Sequence, residues 1–187
     1  MTAQGIIYGI NGPIIYLKGD HGFHINEMVY VGKANLVGEV IGLTSKKTTI
    51  EVYEETTGLK PGEPVTGTGA PVSATLAPGI LTSIFDGIER PLSEIAARSG
   101  KYITRGVSVD SLDTAKKWDV HVTVSEGDHV TGGTVIAETQ ETASILHKSM
   151  VPPDVEGTVI KAASDGAYTI LDPIVTLELD DGTTKEL

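Results

Sequence analysis

The sequence predicts a mainly β protein: a small N-terminal β-barrel, a short helical linker and a second β domain. Three observations carry this. The 187 residues hold 22 glycines and nine prolines, which break the chain into short pieces joined by turns. Runs of β-branched and aromatic residues recur from Gly5 to Tyr53 and resume from Trp118 onward. Between these runs, helical spacing of apolar residues is confined to two brief stretches.

The elements follow in order. Gly5–Ile10 and Ile14–Lys18 flank the breaker-rich turn Asn11-Gly12-Pro13. Met28–Gly32, Leu36–Thr44 and Lys47–Tyr53 come next, and Leu59–Val65 reads as a turn leading into a last short strand. Five or six strands of this length predict a small closed barrel, because closure removes exposed edges. Thr66-Gly67-Thr68-Gly69 reads as too loose for regular structure. Beyond Pro78-Gly79, the residues Ile80, Leu81, Ile84, Phe85 and Ile88 lie at helical spacing over two turns, and Pro91 limits the helix. Two turns are marginal alone, and neither flanking β run offers them a partner. Ile80, Leu81, Ile84 and Phe85 are therefore expected to be partly exposed, as in a piece of something larger. A second short helix is expected over Ser93–Gly100, with Ser93 as N-cap and Gly100 as stop.

The later strands are expected at Asp119–Val124, Thr134–Glu138, Ala143–Leu146, Gly157–Ala162, Tyr168–Leu171 and Ile174–Leu179, and Asp180–Leu187 reads as a terminal turn. Gly133-Thr134-Val135-Ile136-Ala137 recurs as Gly157-Thr158-Val159-Ile160-Lys161, fitting two halves of one sandwich. The domain expectation is thus 1–70 for the barrel, 71–112 for the linker and 113–187 for the second β domain.

Composition narrows the function classes. Apolar residues make up 40% and charged residues 21%, ordinary for a soluble globular chain. No cysteine is present, which excludes disulfides and thiolate metal sites. The start lacks the pattern of a secretory signal, and no run approaches the roughly 20 apolar residues of a membrane span, so a cytoplasmic protein is expected. The net charge of -11 is uneven: residues 113–187 hold five Lys against 14 acids. Such a face repels phosphate and argues against nucleic acid as a partner.

No catalytic, cofactor-binding or metal-binding residue is assigned. Gly42–Thr48 lacks the second glycine of a phosphate-binding loop and sits on a hairpin. His21 and His24, beside Asp20, read as exposed loop residues, remote in sequence from His121, His129 and His147. No Gly-x-Ser-x-Gly turn occurs. The adjacent pairs Glu54-Glu55 and Asp180-Asp181 point apart in a strand or turn and read as surface charge.

Val124–Val130, Gly133–Glu138 and Pro152–Val159 together resemble the biotinyl/lipoyl carrier module, a barrel-sandwich. In that family a lysine at a hairpin tip receives the cofactor. The matching tip here reads Glu138-Thr139-Gln140-Glu141, with Glu141 at the lysine position and Lys148 falling later. A carrier domain fused to a barrel is accordingly the alternative reading, disfavoured by the missing lysine.

A wider resemblance spans the whole chain. Val52–Val65, Thr68–Ser73, Pro78–Leu81, Ile84–Leu92, Lys117-Trp118 and His147–Pro153 resemble the start of the catalytic A subunit of the V-type/archaeal-type rotary ATP synthases. The resemblance implies that residues 1–70 form a crown with neighbouring A and B barrels. It implies that 71–112 edge the nucleotide domain, and that 113–187 are the bulge, facing a peripheral stalk. It places ATP and Mg in the parent subunit beyond this stretch, with none bound here. The complex it implies is cytoplasmic and peripheral to the membrane, without direct insertion.

Overall fold

The computed structural model describes residues 2–187. Two compact units emerge: residues up to Ala74 together with Phe85–Val109, and Thr75–Ile84 together with Asp110–Leu187. The linker stretch is thus shared, its first part belonging to the second unit and its later part to the first.

The first unit contains β1 (Gln4–Asn11), β2 (Ile14–Lys18), β3 (Glu27–Val31), β4 (Leu36–Thr44), β5 (Lys47–Val52) and β6 (Pro64–Pro71). They close into a barrel in the order β1-β2-β5-β4-β3-β6. Alternation builds the core: Ile15 and Leu17 point inward from β2 and are buried, while Ile14 and Tyr16, alternating with them, are half-exposed. Val29, Val31, Leu36, Val40, Ile50 and Val65 fill the interior with them, each contributing about 1.5–3 kcal/mol of burial.

Thr66-Gly67-Thr68-Gly69 lies inside β6, contrary to the sequence expectation of an irregular stretch. The glycine there makes room for a buried acid. Glu27 is 2% exposed, and a Cβ on Gly67 would collide with its Oε1. Oε1 accepts the Gly69 N–H at 2.9 Å and Oε2 accepts the His24 N–H at 2.8 Å. A carboxylate without water needs such donors, and here it fastens β6 to the loop before β3.

The two-turn helix expected from Ile80 does not form. Only a 3-10 turn, Ile80–Thr82, is present, and Ser83 is extended. Side chains have taken the backbone groups that a helix needs. Thr82 and Ser83 donate to the Gly79 carbonyl at 3.1 and 3.2 Å. Asp86 Oδ1 accepts the N–H groups of Ile88 and Arg90 at 3.1 and 2.9 Å. Leu81 is 63% and Ile84 75% exposed, while Ile80 and Phe85 are half-buried. The second helix, α1 (Leu92–Ser99), does form, burying Ile95. Its N-cap is Pro91 with no side-chain cap, so Ser93 sits too late in the first turn for the expected role; the Gly100 N–H closes the end on Ala96 O at 2.9 Å.

Glu54 holds this helical arm within the first unit. Its Oε2 accepts the Gly106 N–H at 2.8 Å and lies 3.6 Å from Arg90 Nη1. Arg90 also donates Nε to Asp86 Oδ2 at 2.8 Å and Nη1 to Val107 O at 3.2 Å. Gly106 has φ +70°, and a Cβ there would stand 2.6 Å from Ala34 O. Glu54 is therefore partly buried and structural, which corrects its reading as surface charge.

The second unit contains β7 (Trp118–Val122), β8 (His129–Val130), β9 (Val135–Thr142), β10 (Ile145–Met150), β11 (Gly157–Ala162), β12 (Gly166–Tyr168), β13 (Val175–Leu179) and β14 (Thr184–Glu186). Two four-stranded sheets result, β10-β9-β7-β12 and β14-β13-β11-β8. Their core includes Val130, Ile136, Val151, Val159, Val175 and Leu177. The two sequence echoes run into β9 and β11, an interior strand of each sheet. Residues 184–186, expected as a turn, pair with β13. The strand expected at 168–171 ends at Tyr168, because the Thr169 N–H turns onto Asp172 Oδ2 at 2.7 Å. Among the described residues no helix is long and apolar enough to cross a membrane.

Two outcomes follow from these anchors. Gly67→Ala is expected to cost about 2–4 kcal/mol in urea unfolding, by collision with Glu27 and loss of its hydrogen bonds; an unchanged midpoint would refute the packing. For Asp86, burial favours the neutral acid, but the Arg90 N–H, the Arg90 guanidinium and the Ile88 N–H outweigh it and hold the carboxyl below its ordinary value. A depressed native value stabilises above the unfolded value of about 4 and is lost as pH falls through the native one. Asp86→Asn is thus expected to destabilise by about 1–2 kcal/mol at pH 7, with the difference shrinking below about pH 4.

Candidate functional sites

In the second unit the segment Thr75–Ile84 lies with the sandwich rather than standing free. A Cβ on Gly79 would touch the Trp118 ring at 3.4 Å, and the Leu81 N–H donates to Glu141 Oε1 at 3.0 Å. Together with β9, β10 and the chain around Tyr168 this segment borders a groove of about 710 Å³. Leu76, Pro78, Ile80, Trp118, Ile136 and Met150 give it an apolar lining. Lys116 Nζ sits 3.7 Å from the centre of the Trp118 ring, a cation–π contact that caps the indole.

Glu141 is the polar centre of this region. Its side chain has no exposure, and Oε2 lies 3.7 Å from His147 Nδ1, whose side chain is 16% exposed. Among the described residues Oε2 finds no hydrogen-bond partner, and neither does the buried indole N–H of Trp118. Ala137, Thr139 and Glu141 alternate along β9 and are all buried, so one acid falls on a buried face of its strand. Ser149 is two residues beyond His147 on β10, and no hydrogen bond joins them, so the pairing of an activated nucleophile is not formed. The arrangement holds a backbone segment in place through the Leu81 N–H.

The first unit has a smaller recess of about 360 Å³, lined by Tyr53, Val72, Asp86, Gly87, Ile88 and Arg90. Arg90 is already engaged by Asp86, Glu54 and Val107 O, so its charge is internally matched. The Tyr53 hydroxyl donates to Glu39 Oε2. That bond, with burial and the charges of Glu39 and Glu51, pushes its pKa up to about 12. It is a neutral donor at pH 7, not a nucleophile.

The residues weighed in the sequence are scattered. His21 Nε2 is 2.7 Å from Lys18 O, and Asp20 Oδ1 accepts the Gly22 N–H at 2.9 Å. The His24 side chain is 81% exposed. His121 pairs with Asp165 at 2.7 Å, which raises the pKa of the imidazole and lowers that of the acid. His129 pairs with Glu156 at 3.0 Å. Among the described residues no three His, Asp or Glu side chains are gathered as metal ligands. Asp181 accepts the Thr183 N–H at 2.9 Å in the turn before β14, and Gly42 lies in β4, opposite Thr49. The hairpin tip is Ala143-Ser144, not Glu138–Glu141, since β9 runs on to Thr142. This corrects the tip assignment and leaves no lysine there; Lys148 lies along β10, opposite Glu138. Motif spacing could not find Glu54 or Glu141, although the period-two pattern of β9 carries the signal for the latter.

Comparison with known proteins agrees with this architecture. The model of the ATP synthase alpha/beta family β-barrel domain matches residues 7–69. That of the ATP synthase alpha/beta subunit barrel-sandwich domain matches residues 109–187. The V-type ATP synthase alpha chain of Halothermothrix orenii is 46% identical over 187 residues, covering 100% of this chain and 32% of that protein. The A subunit of the A-type ATP synthase of Pyrococcus horikoshii is likewise 46% identical over 187 residues, 100% of this chain and 19% of that protein. Its counterpart in Methanopyrus kandleri is 47% identical over 186 residues, 100% of this chain and 31% of that protein. The chain therefore spans a third or less of the length of these curated relatives. Two family domains in order, with a match along the whole chain, make it similar to the N-terminal region of the A subunit of the A/V-type ATP synthases.

Proposed function

We propose that this chain serves as the non-catalytic assembly portion of an A subunit whose nucleotide chemistry resides elsewhere. Residues 1–70 contribute to a crown of neighbouring A and B barrels. Residues 71–112 edge the nucleotide domain, and residues 113–187 form the bulge that faces a peripheral stalk. The complex would hydrolyse or make ATP, with Mg, coupled to ion movement, and would lie on the cytoplasmic side of a membrane without entering it. The observation that carries this reading is the match to the alpha chain of a V-type ATP synthase along the entire chain at 46% identity.

The barrel exterior supports an assembly role. Ile6 is 55% and Tyr30 39% exposed. They project from β1 and β3, the two strands that flank β6, where Ile6 stands opposite Pro64 and Tyr30 opposite Thr66. Exposed apolar side chains grouped on one face mark contact surfaces, and stable contacts bury about 1,200–2,000 Å² in total. The second unit takes the biotinyl/lipoyl type of barrel-sandwich as a scaffold rather than as a carrier, because its hairpin tip holds Ala143-Ser144.

Capture of a B-subunit barrel by this chain tests the crown assignment. Binding is expected, with Ile6→Asp weakening it at least tenfold, since a charge would be forced into an apolar contact, while the thermal midpoint stays the same. No binding by the unaltered chain would remove the assignment. Intact mass decides the carrier alternative: a biotin- or lipoate-sized increment would favour it.

A further inference from the structure

One face of the barrel gathers lysines in a protein that is otherwise acidic. Lys18 at the end of β2 and Lys47 at the start of β5 are direct cross-strand partners. Lys46 adjoins them in the β4–β5 turn, and its carbonyl accepts the Gly19 N–H at 2.8 Å. Like charges set opposite one another on a sheet repel. Among the described residues none of the three forms an ion pair with a carboxylate. The nearest acid in sequence, Asp20, is turned onto the Gly22 N–H.

Tyrosines hold the ammonium groups in place instead. Lys18 Nζ lies 4.1 Å from the centre of the Tyr8 ring, and Lys47 Nζ lies 4.8 Å from that of Tyr16. Tyr8 is 60% exposed. A cation over a ring keeps its charge and still has N–H donors for a second partner. The result is a fixed, solvent-facing row of positive charge along one edge of the barrel.

We propose that this Lys18–Lys46–Lys47 face, backed by Tyr8 and Tyr16, docks an acidic stretch of a partner polypeptide. Charge complementarity selects the occupant. Carboxylates along an extended segment relieve the Lys18–Lys47 repulsion and accept the free N–H donors. A long polyanion such as single-stranded nucleic acid is disfavoured on two grounds. The net charge of -11 repels it beyond the patch, and the tyrosine faces wanted for base stacking already carry ammonium groups. The lysines lie on β2, β5 and the β4–β5 turn. Tyr8, two residues from Ile6 on β1, borders the Ile6–Tyr30 face, and the lysine variants read the patch separately from the crown assignment.

The test uses the isotope-labelled 187-residue chain at low salt, titrated with hexaglutamate and followed by amide shifts. Saturable shifts confined to Tyr8, Tyr16, Lys18, Lys46 and Lys47 are expected. The double variant Lys18→Gln and Lys47→Gln is expected to weaken binding at least tenfold, whereas Lys60→Gln leaves it unchanged. Lys46→Gln, in the turn and outside the ladder, gives a second readout and is expected to weaken binding severalfold. No saturable shift, shifts spread over the surface, or affinity unaltered in the lysine variants would overturn the proposal. Tighter binding of hexathymidylate or of phosphatidylserine vesicles to the same face would overturn it equally.

Discussion

Carboxylates placed where water barely reaches them, each answered by backbone N–H groups, set the irregular parts of this molecule. Glu27 receives Gly69 and His24, Glu54 receives Gly106, and Glu141 receives Leu81. A buried carboxylate left alone is costly, and a buried N–H left alone is costly too. Each pairing eases both penalties, for Glu141 through Oε1 alone, so the loop and the acid hold one another. Removing either partner strands the other, which is why such contacts are sensitive although each net bond contributes only about 1–3 kcal/mol.

These contacts also explain how the linker is divided. A regular helix over residues 80–88 would have needed the N–H group of Ile88, and Asp86 takes it together with that of Arg90 just beyond. Released from helical geometry, the chain can send Thr75–Ile84 to the sandwich unit and Phe85–Val109 to the barrel unit. The apolar spacing that looked helical then serves other ends. Phe85 forms a bridge with Pro91, and Leu81 lends its N–H to Glu141. Leu81 and Ile84 remain outward in this arrangement.

The regular β structure was legible because alternation is a local signal. Ile15-Tyr16-Leu17 and Thr48-Thr49-Ile50 announce their inward faces without help from distant residues. What stayed hidden depends on residues far apart. Thr66–Gly69 looked like a loop because glycine has low strand propensity, yet Gly67 is required by Glu27, 40 positions earlier. Glu54 looked like surface charge until Arg90 and Gly106 came to meet it. The hairpin tip is not legible in the sequence, because the turn Ala143-Ser144 lacks glycine and proline and nothing there marks where β9 ends. The whole-chain family resemblance is legible in the sequence, since it rests on combinations of motifs rather than on any one of them.

Backbone amide exchange reads the central claim most directly. The Leu81 and Gly106 amides lie outside strands and α-helices, and the Gly69 amide lies at a register shift near the end of β6. All three should exchange as slowly as core strand amides. Glu27→Ala, Glu141→Ala and Glu54→Ala should each accelerate its own amide at least tenfold in an otherwise folded chain, leaving the other two protected. Rapid exchange at these three positions in the unaltered protein, or protection that survives loss of the matching carboxylate, would contradict the account.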